Sequence, residues 1–413
     1  MASLVRWGGI AALALVLSLT LGTVAALALR AEPGRGLGPA EWAALRFTLV
    51  QALLSAGLSC LLAVPAARAL ARRRFPGRGL LVGLLGAPFL LPAIVAVFGI
   101  VAVWGRAGIV SRGLEAAGLP GLDVYGLVGV VLAHVFFNVA LVARLLLQGW
   151  LAIPSETFRL AAQLGFAPRD VFRRIEAPML GAVLPGAFVL VFLLCMTSFA
   201  VALTLGGGPR ATTVELAIYQ AVRFDFDLGR AAWLALIQFA LCGTVALLAL
   251  RLSADAGFEA GAGGAVERWD AGGRGVRALD GAVLALLALF LGLPLGAVLV
   301  RGSVALLAGL PEAVWAAAAR SLGVALGSAA LAIGLGLALA AFVDAQRARG
   351  TGIFAEAAGL MPLAASPFVI GTGLFIMLHP VVDPFLLALP VTVAVNAAMA
   401  LPFVLRALLP ALA

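Results

Sequence analysis

The sequence predicts an all-α fold, a polytopic helical membrane protein, from three observations. Of its 413 residues 63% are hydrophobic and 11% charged, and the mean hydropathy is +1.14; a soluble domain is nearer half apolar and about a quarter charged. Uncharged runs of about 20 residues, the length a helix needs to cross a bilayer, recur along the whole chain. The long runs do not alternate as barrel strands do, so their backbone groups have to be satisfied within helices.

The first run is Trp7 to Leu29. Its Ala26-Leu27-Ala28 has the small-x-small form of a cleavage site, but 23 uncharged residues exceed the about 7–15 of a signal-peptide core, so an uncleaved anchor is expected. Phe47 to Ala67, Gly79 to Gly105, Val124 to Ala143 and Met179 to Pro209 follow, each flanked by charged residues that would cost about 2.5–3.5 kcal/mol apiece at a helix centre. Ala231 to Leu250, Gly281 to Val300, Ser321 to Val343, Ala357 to Leu378 and Phe385 to Leu405 bring the expected total to ten. Pro88, Pro92, Pro362 and Pro367 fall inside these runs, where each removes a backbone hydrogen bond and either kinks a helix as a hinge or serves packing.

All 28 basic residues are arginine. Without lysine there is neither a P-loop nor Schiff-base chemistry. Cys60, Cys195 and Cys242 lie in expected spans and read as small buried hydrophobes, with no disulfide and no metal site. The net charge of +9 follows from the positive-inside rule and calls for no nucleic acid.

With the N-terminus inside, 18 of the 28 arginines fall on inner segments, which sets a cytoplasmic N-terminus. The inner segments include 68–78, a polar island from Arg144 to Pro178, and Arg251 to Asp280, the last placed by parity of spans. Arg251 to Asp280 is glycine-rich and aperiodic, as a flexible linker is. The sequence on its two sides is loosely duplicated: Arg46 and Arg320 each open a span, Pro92 and Gly99 pair with Pro367 and Gly373, and NVALVARLL from Asn138 is echoed by ALPFVLRALL from Ala400. The expected organisation is therefore a first repeat at 1–250 carrying a loop at 150–178, a linker at 251–280, and a second repeat at 281–413. Matching Arg144 to Arg406 would put a second copy of Gly165 at about position 427, so the second repeat is expected to be incomplete.

Within the island, Ser155 is a candidate helix cap with Glu156 in the first turn, and Leu160 and Leu164 share a face. Gly165 stands where a helix ends in the left-handed region. A second short helix follows Pro168, with Val171, Phe172 and Ile175 on one side, and Pro178 closes it. Two readings are open: a rigid knob that fits a partner's groove, or a loop lying on the membrane through its arginines.

The stretch AAQLGFAPRDVFRRIEAP resembles the coupling loop of ABC importer permeases at Ala161, Leu164, Gly165, Phe172, Ile175 and Pro178, and departs from it at Arg159 and Leu160. ARALARRRFPGRGLL at 67–81, LAHVFFNVALVARLLLQ at 132–148 and the segment 198–238 narrow the likeness. Together they closely resemble the thiamine (thiamine pyrophosphate) ABC transporter permeases, a fused-halves, binding-protein-dependent importer family. The likeness is strong over Arg46 to Gln238 and mostly one of layout beyond; fused ferric-iron permeases are the nearest alternative. It implies a multi-pass protein of the bacterial inner membrane that is not itself an enzyme. The implied partners are a cytoplasmic ABC ATPase dimer, which holds ATP and magnesium, and a periplasmic thiamine-binding protein; this chain binds no cofactor. Carried over to this sequence, the ATPase contact would comprise Arg159, Ala161, Ala162, Leu164, Gly165, Phe166, Asp170, Phe172, Ile175 and Pro178.

His134 and Asn138, four apart inside a span, are candidates for interhelical hydrogen bonding or for the translocation path. Glu215, Asp225 and Asp227 are candidate outer-loop contacts for a cation or the binding protein, or solvated charges balancing Arg210, Arg223 and Arg230. Gly206-Gly207-Gly208-Pro209 reads as a tight turn. A secondary transporter would need a buried coupling acid in mid-span, a channel a charged ring or filter, and an intramembrane enzyme paired catalytic groups. None of these is legible in the sequence.

Overall fold

A computed structural model describes the chain except residues 1, 32–35, 209–210, 253–267, 308, 348–354, 357, 360, 364, 384–385 and 413. No strand occurs among the described residues. The helices of the first half are α1 (Ala2–Leu17), α2 (Thr23–Arg30), α3 (Pro39–Arg72), α4 (Arg78–Leu84), α5 (Ala87–Leu90), α6 (Ala93–Trp104), α7 (Ile109–Ala116), α8 (Leu127–Ala152), α9 (Ser155–Gln163), α10 (Pro168–Val171), α11 (Ala177–Met196), α12 (Ala200–Leu205) and α13 (Val214–Arg223). Then come α14 (Leu228–Leu252), α15 (Arg274–Leu307), α16 (Glu312–Arg347), α17 (Pro367–Leu378) and α18 (Ala388–Leu412). π-helical turns at Ser18–Gly22 and Phe172–Glu176 join α1 to α2 and α10 to α11.

Among the described residues, nine helices are long and apolar enough to cross a membrane. The protein is therefore a multi-pass helical membrane protein. The expected tenth span, Ala357 to Leu378, is not one of them: its longest described helix is the 12-residue α17, preceded by a short 3-10 turn at Met361–Leu363. Ser366 caps α17 by accepting a hydrogen bond from the Val369 N–H at 3.1 Å, and Pro367 takes the first turn, where its missing N–H costs nothing. Gly79 to Gly105 is likewise interrupted. Leu91 is extended at ψ 137° and Pro92 precedes α6, because a proline disfavours the helical conformation of the residue before it. The four prolines expected inside spans thus stand in or beside short helices and at helix starts, while prolines that lie well inside long helices include Pro65, Pro185, Pro294 and Pro402. Of the expected linker, residues 253–267 lie outside the described residues, and 274–280 already belong to α15.

The chain folds into two compact units, Met1–Trp42 with Val214–Ala246 and Ala308–Ala413, and Ala43–Thr213 with Leu247–Leu307. In the first unit α1 and α18 both pack on α16, and α2 packs on α17. Its apolar centre includes Val16, Leu339, Leu401 and Leu405. In the second unit α15 packs on α6, and α8 is the most enclosed of the candidate spans. Phe290 of α15 stacks obliquely on Trp104 at 5.4 Å and edge-on to Phe136 at 6.0 Å. Lipid tails are as apolar as leucine, so close backbone approach at small residues holds such helices together. At Gly99 a Cβ would stand 2.5 Å from the Pro294 carbonyl oxygen of α15, and at Gly373 one would stand 2.7 Å from the Thr23 carbonyl oxygen of α2.

Candidate functional site

The polar island folds into a bent helical knob. α9 begins after Pro154, and the Ser155 hydroxyl donates to the Glu156 carboxylate at 2.8 Å instead of capping the helix. Glu156's own backbone N–H and then this hydroxyl hold its carboxyl below the ordinary value. At the other end the Phe166 N–H donates to the Ala161 carbonyl at 3.0 Å and the Gly165 N–H to Ala162 at 3.1 Å. These two bonds are a Schellman motif, with Gly165 left-handed at φ 67°. The Asp170 carboxylate then accepts from the Ala167 N–H at 3.2 Å, starting α10.

Pro178 does not close the second helix. The π-turn at Phe172–Glu176 carries it on into α11, where Pro178 sits in the first turn and its missing N–H is tolerated.

The knob has a buried root and an exposed crown. Phe158, Ala161, Val171 and Glu176 are buried. Leu160 and Leu164, on one helix face as expected, are 56% and 63% exposed, and Arg159, Ala162 and Gly165 lie exposed beside them. Phe166, Asp170 and Ile175 are half-buried, while Phe172 and Pro178 are exposed.

Glu176 anchors the root. Although 0% exposed, it accepts from Arg68 Nε at 2.8 Å, Arg268 Nη1 at 2.6 Å and Trp150 Nε1 at 3.0 Å. Arg268 is buried with it and lies over the Phe158 ring at 4.6 Å, as Arg68 lies over Phe172 at 5.2 Å and Arg174 over Phe166 at 5.3 Å. α3, α8 and the segment before α15 are thereby tied to one carboxylate, and Arg268 links it to Phe158 of α9. The expected site included neither Glu176 nor Arg68, Trp150 and Arg268, and the only sequence signal was an acid at the apolar end of a basic island.

His134 and Asn138 are buried in α8 and belong to a polar cluster. Asn138 Nδ2 donates to the His134 carbonyl at 2.7 Å and reaches Cys195 Sγ of α11 at 3.4 Å. Ser55 Oγ of α3 lies 3.5 Å from His134 Nδ1, and Gln51 Nε2 donates to the Cys195 carbonyl at 2.9 Å. Gln51, Ser55 and Ser59 recur every four residues on one face of α3, a polar stripe legible in the sequence but not singled out there. Gln51 Oε1, Ser59 Oγ and His134 Nε2 are buried without a hydrogen-bond partner among the described residues.

The three outer-loop candidates separate. Asp225 pairs with Arg230 at 3.1 Å, and Arg230 pairs in turn with Glu41 at 2.7 Å. Asp227 accepts from the Arg230 N–H at 3.0 Å and so caps α14. Glu215 is not an accessible loop charge: it is fully buried in α13, outside the candidate spans. Among the described residues neither of its oxygens has a hydrogen bond of good geometry, and burial pushes its carboxyl up to about 8, with Ser366 and Gln238 drawing it back.

A raised carboxyl stabilises the fold most when protonated. The contribution is complete below the unfolded value of 4.5 and is lost as pH rises through about 8. Thermal unfolding of the purified protein should therefore show stability falling by up to about 1.4 kcal/mol per pH unit across that window. Glu215→Gln should flatten the fall, with its gain over wild type growing toward alkaline pH.

No family model matches the chain. Curated sequences are similar over nearly all of it. The thiamine transport system permease protein ThiP of Brucella abortus is 45% identical, covering 98% of this chain and 76% of the relative. That of Salmonella typhimurium is 41% identical, covering 97% and 76%, and that of Escherichia coli is 42% identical, covering 89% and 69%. Identity at this level over this share of both chains leaves one assignment: the chain belongs to the family of thiamine transport system permease proteins.

Proposed function

We propose that this chain is the membrane-spanning permease subunit of an ATP-driven importer that carries thiamine or its phosphate esters into the cell. The observation that carries this reading is the 45% identity to a thiamine transport permease across 98% of the chain. In this reading the N-terminus and the knob lie in the cytoplasm of a bacterium with an inner membrane, in keeping with the arginine bias. A separate ATPase dimer there holds ATP and magnesium, and a thiamine-binding protein delivers substrate from the periplasm; this chain contributes neither catalysis nor cofactor binding.

The knob suits the ATPase contact because its crown offers exposed leucines on a rigid bend while its root is tied to α3, to α8 and to Arg268 before α15. Closure of the ATPase pair would push the crown, and the anchored root would pass that displacement into α3, α8 and α11. The two repeats, 1–250 and 281–413, would then rock against one another about the substrate path. The repeat reading is supported by Gly99 and Gly373, matched in the sequence, each admitting the backbone of an early span of the other half. His134 and Asn138 are the candidates for the path, supported by the unpartnered Nε2 in their cluster.

Uptake of labelled thiamine by cells lacking this protein and complemented with it tests the assignment. Restored uptake that disappears on depletion of ATP is expected. Restoration of ferric-iron uptake without thiamine uptake would overturn it.

A further inference from the structure

We propose that a cavity of about 1030 Å³ in the second compact unit is a binding site for an anionic phospholipid. Two facing helix surfaces build it. On α15 the lining positions Arg277, Asp280, Leu284 and Ala288 follow helical spacing on one face, and Gly77, Leu80, Leu81 and Leu84 do the same along α4. The α15 surface runs from a charged end to an apolar end, the α4 surface is apolar, and Arg72, Arg73 and Arg74 at the end of α3 join the charged end of α15, where the candidate spans Pro39–Arg72 and Arg274–Leu307 have one end each. Such a wall matches a molecule that is itself charged at one end and apolar at the other.

The charged end has an excess of cations. Five arginines and one acid line the cavity among the described residues; Glu176 behind the wall balances Arg268, and Asp280 is shared by Arg72 and Arg73, so the lining keeps a positive excess. Asp280 bridges Arg72 Nε at 2.9 Å and Arg73 Nε at 2.6 Å, which fixes both guanidiniums at the cavity wall. Arg73 still keeps a buried Nη2 without a hydrogen-bond partner among the described residues. Arg74 and Arg277 stand exposed at the rim. An anion with several acceptor oxygens answers both the charge excess and the unused donor, since guanidinium pairs with phosphate through parallel hydrogen bonds.

The apolar end selects lipid over a soluble anion. Inorganic phosphate would use the arginines and leave Leu80, Leu84 and Leu284 without a partner, in a cavity at the upper end of the about 300–1,000 Å³ usual for small-molecule sites. An acyl chain fills that length, and Leu80, 81% exposed, extends the apolar wall to the protein surface. Basic pockets at the ends of membrane helices hold anionic headgroups by this combination of charge and depth.

The test uses the full chain, purified and reconstituted in nanodiscs of phosphatidylcholine with or without phosphatidylglycerol, with co-purifying lipid measured by native mass spectrometry. Phosphatidylglycerol should be retained in preference to phosphatidylcholine, and millimolar inorganic phosphate should not displace it. Arg74→Ala with Arg277→Ala should weaken retention roughly thirtyfold, at about fivefold per arginine near an anionic surface, and Leu80→Gln should weaken it severalfold. These three side chains are exposed, so unfolding temperatures in phosphatidylcholine serve as the folding control. Equal retention of phosphatidylcholine, displacement by inorganic phosphate, or unchanged retention in the double arginine variant would each overturn the proposal.

Discussion

Glu176→Ala is expected to destabilise the protein by about 3–5 kcal/mol, the cost of removing one partner from a buried ion pair. The loss of the carboxylate strands Arg268, whose side chain is 2% exposed, together with the Trp150 indole N–H. Arg68 is 24% exposed and can turn toward water, so it contributes less to the penalty. Glu176→Gln keeps a hydrogen-bonding group of the same shape but leaves two guanidiniums without a counter-charge, and should fall between wild type and alanine. Arg268→Ala should restore part of what Glu176→Ala loses, because the double variant no longer holds an uncompensated charge. Thermal unfolding in detergent of the four proteins closes the cycle, and a coupling energy of about 0.5–3 kcal/mol is expected for a pair in direct contact. Additive losses would mean that the two side chains do not depend on each other.

That anchor was beyond the reach of the sequence for a definite reason. Arg268 and Arg68 stand 92 and 108 residues from the acid they bind, and Arg72 stands 208 from Asp280. Charge patterning reports pairs one helical turn apart and carries nothing about such distances. What local chemistry does determine was legible. Uncharged runs gave the spans apart from Ala357 to Leu378, since a charge in lipid is costly wherever the helix packs, and the left-handed turn at Gly165 followed from glycine's freedom at a helix end. The prolines show the boundary between the two kinds of information. Pro92, Pro178 and Pro367 mark real events, but whether a proline kinks, ends or begins a helix depends on which backbone N–H groups already lack partners. Pro367 begins α17 because Ser366 caps it, and Pro178 enters α11 because a π-turn precedes it. Glu215 shows the same limit from the other side: the sequence around it reads as a loop charge, and it is tertiary packing, with α13 against α17 and Gln238 of α14 beside the carboxyl, that removes it from water.

Replacing Gly165 separates the bend from the residues that surround it. A Cβ at this position would meet nothing within 4 Å, so added bulk is not an obstacle; the left-handed φ of 67° is. A β-branched side chain pays roughly 1–3 kcal/mol there, enough to release the Schellman bonds and let α9 run past its end. Gly165→Val should therefore abolish uptake while the protein still inserts and is recovered from membranes at normal yield. Asparagine enters the left-handed region far more readily, so Gly165→Asn should retain most of the activity despite a larger change in polarity. Leu164→Asp leaves the bend intact and alters only the exposed crown. If the crown docks on an ATPase, this variant should lower uptake by about thirtyfold, the loss expected for a central interface residue, without moving the unfolding temperature. Equal uptake by the valine and asparagine variants would show that the bend is not the element that transmits force, and normal uptake in Leu164→Asp would move the docking surface elsewhere on the protein.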